Sequence, residues 1–179
     1  MVGLKRGTVA LMPHCPQWDT MVAQTAALIK GILGETALDV QHVGSTAIRS
    51  ICAKPILDLA VAVRNTDDVL SYVPVLEQHG IIYRKQDVTG QMLFVMGDFE
   101  ADTRTHHIHV VSVDDPAWRN YLNFRDYLNA CPEKAREYEC LKMQLLTKYA
   151  EDRNSYTSGK QELITKLLAE AAAWRGGQL

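Results

Sequence analysis

Apolar residues recur at helical spacing through Trp18, Met21, Val22, Thr25, Leu28, Ile29 and Ile32. That period predicts an amphipathic helix ending near Gly34, because a glycine after the last periodic residue commonly stops a helix. Leu38 to Val43 reads as a short strand. Ile56 to Val63 is apolar at nearly every position, the pattern of a central strand buried on both faces. Residues 44–54 between them are rich in small side chains and form a loop. Asn65 or Thr66 can cap a helix reaching His79, with Val69, Leu70, Val73 and Leu76 as its buried stripe and Pro74 as a kink. Strands follow at about 81–86, 91–97 and 106–113, with hairpin connections at about 87–90 and 97–102.

The last third is helical. Asp114 or Asp115 caps one helix with Pro116 in its first turn, and Pro132 opens a second carrying Tyr138, Leu141, Leu145 and Leu146. A third runs from about Ser155 to Trp174, after which Arg175 and the tail fray. Residues 1–16, broken by Pro13 and Pro16, are irregular. The order predicts an α/β (α+β) fold: a small mixed sheet flanked by helices, with a helical C-terminal region packed against or beside it. The 179 residues suit a single domain over 1–179, with a sheet-containing core at about 17–113 and C-terminal helices at about 114–174.

Charge narrows the partners. The net charge is −2 and the pI about 6.3, which argues against specific binding of duplex nucleic acid but leaves room for a local basic pocket. The four cysteines, Cys15, Cys52, Cys131 and Cys140, show no Cys-x-x-Cys spacing, so a zinc knuckle or redox motif is not expected. With no leader-like apolar segment and no long apolar span, the expectation is a cytoplasmic protein with reduced thiols and no membrane partner.

Asp58 is the first residue to question. It lies inside Ile56-Leu57-Asp58-Leu59-Ala60-Val61, and burying an unpaired carboxylate costs several kcal/mol, on the order of a domain's whole stability margin. Upstream, Gly44-Ser45-Thr46 offers close backbone approach, exposed N–H groups and hydroxyls that suit a phosphate. His42, Arg49 and Lys54 add positive charge, which suits an anionic ligand with a cation held on Asp58. The competing reading is an internal salt bridge from Asp58 to Arg49 or Lys54. In His106-His107-Ile108-His109-Val110, a strand would put His107 and His109 on one face. With Asp58 they would suit zinc, manganese or iron better than magnesium. Alternatively, His109 bonds Asp58 or a carbonyl while His106 is exposed, or His107 or His109 contacts phosphate or acts as a base. In the helical third, Arg125, Lys142 and Lys160, with tyrosines 127, 138 and 156, either form a solvated face or reach a ligand cleft. Cys52 reads as a small buried cysteine rather than a reactive thiol.

The run from His42-Val43-Gly44-Ser45-Thr46-Ala47 through Ala53-Lys54-Pro55-Ile56-Leu57-Asp58-Leu59 resembles the GrpB-like family. So do Asn123-Phe124-Arg125-Asp126-Tyr127-Leu128, Pro132 to Tyr138, Lys142, and Tyr156 to Lys160, so that the resemblance covers about 16–168. It implies membership of the nucleotidyltransferase superfamily, with a short mixed sheet and the Gly-Ser loop over a triphosphate. The implied function is transfer of a nucleotidyl group from a metal-bound triphosphate to a small-molecule acceptor. Asp58 and His109 would be catalytic; Gly44, Ser45, Thr46, Lys54, Lys142 and Lys160 would bind the nucleotide phosphates. A divalent metal, magnesium first with manganese or zinc as alternatives, would sit on Asp58, with His107 and His109 as further ligands. The pattern departs from the superfamily where a second carboxylate should stand two residues on, at Ala60, and at the neighbouring strand, where His107 and His109 occupy the expected place of a third. Two-metal transfer is thereby put in doubt. The alternatives are a nucleotide- or phosphate-metabolite-binding module without catalysis, or a His/Asp metal-dependent hydrolase.

Overall fold

The computed structural model describes residues 2–85 and 90–177. In chain order the elements are β1 (Leu4–Lys5), α1 (Gln17–Leu33), β2 (Asp39–Val43), β3 (Leu57–Val63), α2 (Val73–Gln78), β4 (Ile82–Tyr83), β5 (Met92–Met96), β6 (Thr103–Arg104), β7 (His106–Ser112), α3 (Pro116–Ala130), α4 (Pro132–Tyr149), α5 (Arg153–Ser158) and α6 (Gln161–Gly176). Five strands form a mixed sheet in the order β2-β3-β7-β5-β4, while β1 pairs with β6 apart from it. Only β3 and β7 run parallel among these pairs; the other neighbours are antiparallel.

Period-two alternation divides β3 between two cores. Leu57, Leu59, Val61 and Val63 pack with Ile108 and Val110 of β7 and with Trp18, Val22, Ile29 and Leu33 of α1. Ala60 and Ala62 face the other way, with Val43, Val111 and Trp118 of α3. The predicted helical stripe thus forms, and it ends at Gly34 as expected. On the second side the strand residues Val43, Ala60, Ala62 and Val111 are small, and α3 packs on them through Trp118.

The loop between β2 and β3 is anchored rather than free. Ile48 and Ile51 are buried among Tyr127, Leu128, Ala135, Tyr138, Leu167 and Ala171 of the C-terminal helices. From α4, Glu139 accepts the Cys52 N–H at 2.5 Å and the Lys142 ammonium donates to the Cys52 carbonyl.

Several expected elements differ. The helix expected over 65–79 is a 3-10 turn, Thr66–Tyr72, capped by the Asn65 side chain and followed by α2 with Pro74 in its first turn. Proline lacks the N–H that a continuous helix needs, but is tolerated where a helix begins. The rotation this introduces leaves Leu70 49% exposed, while Val69 and Leu76 are buried. Of the strand expected at 81–86, Ile82–Tyr83 forms among the described residues, and Gln86, Asp87, Val88 and Thr89 lie outside them. The connection at 97–102 leads into β6, and the N-terminal stretch is tied down, with the Gly3 N–H on the Pro55 carbonyl at 2.8 Å and the Val9 N–H on the Ala150 carbonyl at 2.9 Å. The last expected helix is two, α5 capped by Asp152 and α6, and Arg175 does not fray: it donates to Asn123 at 3.1 Å and pairs with Asp126. All four cysteines are unpaired, and among the described residues no helix is long and apolar enough to cross a membrane.

Candidate functional site

The parallel register of β3 on β7 places Asp58 opposite His107 and Ala60 opposite His109. Antiparallel pairing puts Val43 opposite Asp58, so Gly44 emerges from β2 directly against the carboxylate. Gly44 has φ 68 and ψ −168, a conformation close to glycine-only. A Cβ there would collide with Asp58, meeting its Cγ at 3.0 Å and its Oδ2 nearer still. The glycine is therefore a space requirement of Asp58 as well as a turn residue. Ser45 follows in a short 3-10 turn with its hydroxyl 3.3 Å from that of Tyr138.

Asp58 has a partner, and it is neither Arg49 nor Lys54. The His107 Nδ1 donates to Asp58 Oδ1 at 3.3 Å. The Asp58 side chain is 29% exposed, toward the cleft. Burial pushes its carboxyl pKa up, but the His107 hydrogen bond and the charges of His107, His109 and Lys54 outweigh this and hold it below the usual range. His109 shares the face: its Nδ1 lies 3.2 Å from Gln91 Oε1, which also accepts the Tyr121 hydroxyl at 2.9 Å. Burial lowers the His109 pKa against the pull of Asp58.

The opposite wall is cationic. Lys54, Lys142, Arg153 and Lys160 border a cleft of about 660 Å³ with Gly44, Ser45 and Asp58. The Lys54 and Lys160 ammonium groups lie 5.4 and 4.8 Å from the centre of the Tyr156 ring, within cation–π range. The Tyr156 hydroxyl is buried and has no partner among the described residues. Burial and the charge of Lys54 bring the Lys160 pKa down to about 8; burial and the charge of Lys160 bring Lys142 down to about 7. Among the described lining residues Asp58 is the only carboxylate. Ala117, Phe124, Ile164 and Leu168 supply an apolar stretch of wall. Such a cleft can hold an elongated anion with a flat or apolar part.

The structure thus brings Gly44, Ser45, Lys54, Asp58, His107, His109, Lys142 and Lys160 to one cleft. Thr46 is not among them: its side chain is buried and its hydroxyl lies 2.9 Å from His42 Nε2, so it braces the turn instead of meeting a phosphate. Lys142 borders the cleft but is 1% exposed and already donates to Cys52. Arg49, its side chain 76% exposed, turns to Asp19 at 3.5 Å. Arg125 is structural, holding Gln41, the His42 carbonyl and Asp126 outside the cleft. His106 is buried against Thr25 on the α1 side, not exposed. The proposed three-residue metal set does not assemble: among the described residues no three His, Cys, Asp or Glu side chains are grouped to hold a metal ion, and the His107 and His109 Nδ1 atoms are turned to Asp58 and Gln91. Gln91, Tyr121 and Arg153 were missed. No local spacing marks Gln91 or Tyr121, and Arg153 is one arginine on a polar helix, so only the strand register and helix docking disclose them.

A family model described as GrpB protein matches residues 8–170. The glutamate-rich protein GrpB of Alkalihalophilus pseudofirmus is 37% identical over 173 residues, covering 95% of this chain and 99% of its own. The crystal structure of the conserved protein GrpB from Enterococcus faecalis superposes with a TM-score of 0.82 at 30% identity, over 90% of this chain and 96% of that one. More distantly, the Cid1 poly(U) polymerase in a MgGTP-bound crystal structure matches with a TM-score of 0.52 at 12% identity, over 76% of this chain and 44% of that one. That last likeness is one of fold: the sheet and its flanking helices are nucleotidyltransferase-like.

Proposed function

This chain belongs to the GrpB family, and from that premise we propose that its cleft binds a nucleoside triphosphate and transfers a nucleotidyl group to a small-molecule acceptor. One observation carries the reading: Lys54, Lys142, Arg153 and Lys160 converge with the Gly44-Ser45 turn on a cleft whose single carboxylate, among the described residues, is Asp58. The phosphates lie between the turn and the lysines. Each charge-assisted hydrogen bond to them contributes about 1.5–3 kcal/mol. Lys54 and Lys160, held over Tyr156, are placed for this without large rotamer loss. The Ser45 hydroxyl is available as a further donor.

Asp58 would hold one divalent ion. Its carboxylate and the oxygens of a triphosphate fit magnesium, which takes few protein ligands alongside phosphate, and the ion would supply charge neutralisation at the reacting phosphate. Ala60 denies the site the second carboxylate of a two-metal arrangement, while His109 stands opposite it in the register. The same alanine favours a second reading, nucleotide binding without turnover.

Calorimetric titration with ATP, GTP, CTP and UTP, each with and without magnesium, tests the binding; pyrophosphate release with a panel of alcohol and phosphate acceptors tests the transfer. Saturable binding with pyrophosphate release supports transfer. Saturable binding without release selects the second reading. No affinity for any of the four nucleotides defeats both.

A further inference from the structure

Gln91 precedes β5 and borders the cleft. Its side-chain oxygen has two neighbours, the Tyr121 hydroxyl at 2.9 Å and His109 Nδ1 at 3.2 Å. An amide oxygen only accepts. The tyrosine donates its O–H, so the imidazole must donate as well, and the proton of a neutral His109 ring belongs on Nδ1. Nε2 then carries the lone pair. Among the described residues nothing is hydrogen-bonded to Nε2, and the residue lines the cleft. Two other groups of the cleft are engaged: Asp58 accepts from His107, and the Lys142 nitrogen donates to the Cys52 carbonyl. The β3–β7 register sets His109 opposite Ala60, the position that lacks a carboxylate.

We propose that Gln91, braced by Tyr121, is a positioning residue that fixes His109 with its proton on Nδ1, so that His109 Nε2 faces the cleft as the proton acceptor for the acceptor hydroxyl. The proton-transfer role rests on the transferase reading; the tautomer does not. In the step, the acceptor O–H proton passes to Nε2 as the acceptor oxygen bonds to the α-phosphorus. The bond from that phosphorus to the bridging oxygen breaks, and pyrophosphate leaves with the electron pair. The imidazolium returns its proton to water. Burial lowers the His109 pKa, with Asp58 favouring and His107 opposing its protonation.

Long-range proton–nitrogen correlation spectra of histidine-labelled protein test the tautomer without any nucleotide. The expected result at pH 7.5 is a protonated Nδ1 and a bare Nε2 for His109. Gln91→Leu is expected to give a mixture of tautomers, whereas Gln91→Glu keeps the proton on Nδ1 and raises the histidine pKa. A wild-type His109 protonated on Nε2, or a tautomer unmoved in a folded Gln91→Leu protein, overturns the positioning role. For the base role, His109→Gln should lower pyrophosphate release roughly 10²–10⁴-fold, and Gln91→Glu should move the acidic limb of the rate profile to higher pH. Full turnover by His109→Gln overturns it. Nucleotide binding with the expected tautomer but no turnover in the wild type instead sinks the transferase reading, and the base role with it, while the tautomer assignment stands.

Discussion

Replacing Gly44 by alanine probes the site through the backbone alone. Two effects add. The residue has φ 68 and ψ −168, where a side chain is strained by about 1–3 kcal/mol. The new methyl would also collide with the Asp58 carboxylate, with Cγ only 3.0 Å away. Asp58 has to withdraw, and its 3.3 Å bond to His107 goes with it, a further loss of about 1–3 kcal/mol. Gly80→Ala is the internal control. Gly80 has φ 76 but no atom within 4 Å of an added Cβ, so it carries backbone strain of about 1–2 kcal/mol and no collision. Urea unfolding of both variants against wild type should therefore show Gly44→Ala as the less stable by roughly 1–3 kcal/mol, with unchanged m values. In a thermal scan the gap is on the order of 2–4 °C per kcal/mol for a chain of this size. Equal losses in the two variants would refute the reasoning, because they would mean that Asp58 is not packed on the turn.

Lys160→Ala should weaken a nucleoside triphosphate by about 1–3 kcal/mol in calorimetry; unchanged affinity in the folded variant would mean that Lys160 does not meet the phosphates. Lys142 has its folded pKa lowered to about 7 from the usual lysine range. Its proton is lost earlier in the folded chain than in the unfolded one, so stability should rise as pH increases from about 7 toward about 10. Lys142→Met should flatten part of that rise in urea titrations taken at several pH values, and an identical slope would contradict the burial account. Asp58 acts in the same direction in the acid range: with its folded pKa held low, its contribution is present above about pH 4 and is lost as pH falls through the folded value. Asp58→Asn should accordingly lose part of the wild type's acid sensitivity, and should abolish any magnesium–nucleotide stabilisation in thermal shift. Thiol titration should count four thiols after denaturation and, in the native protein, find exposed Cys140 reacting first; a count of two would show a disulfide.

The strands that carry the site were legible because their patterns are local. The apolar run around Asp58 identified β3, and the alternation in His106 to Val110 put His107 and His109 on one face. What bonds to what was not legible, because it depends on register. Asp58 could be given Arg49, Lys54 or a metal from spacing alone, and only the parallel pairing sets His107 opposite it. Thr46 shows the same limit in a turn. Its hydroxyl is adjacent in sequence to Ser45, yet a 3-10 turn points it back at His42. Gln91 falls at the start of the strand expected at about 91–97, but its bonds to His109 and Tyr121 depend on the pairing of that strand with β7 and on the docking of α3. The sequence pattern makes Pro74 a kink in one helix, but proline's missing N–H places it in the first turn of a separate one.

The parallel ladder between β3 and β7 also orders events in time. Parallel strands cannot be closed by a short hairpin, so their pairing waits for the chain between them. The Asp58–His107 bond spans 49 residues, and the two bonds from α4 to the Cys52 peptide span 87 and 90. Loop-closure entropy delays such contacts relative to local helix formation. On a ribosome, a chain that has not yet delivered α4 leaves Ile48 and Ile51 without their partners and the lysine wall incomplete. The cleft is thus among the last parts of the molecule to come into being. A ligand that recognises it binds the finished fold alone, and at a hundredfold excess over its Kd would add about 2.7 kcal/mol to that state.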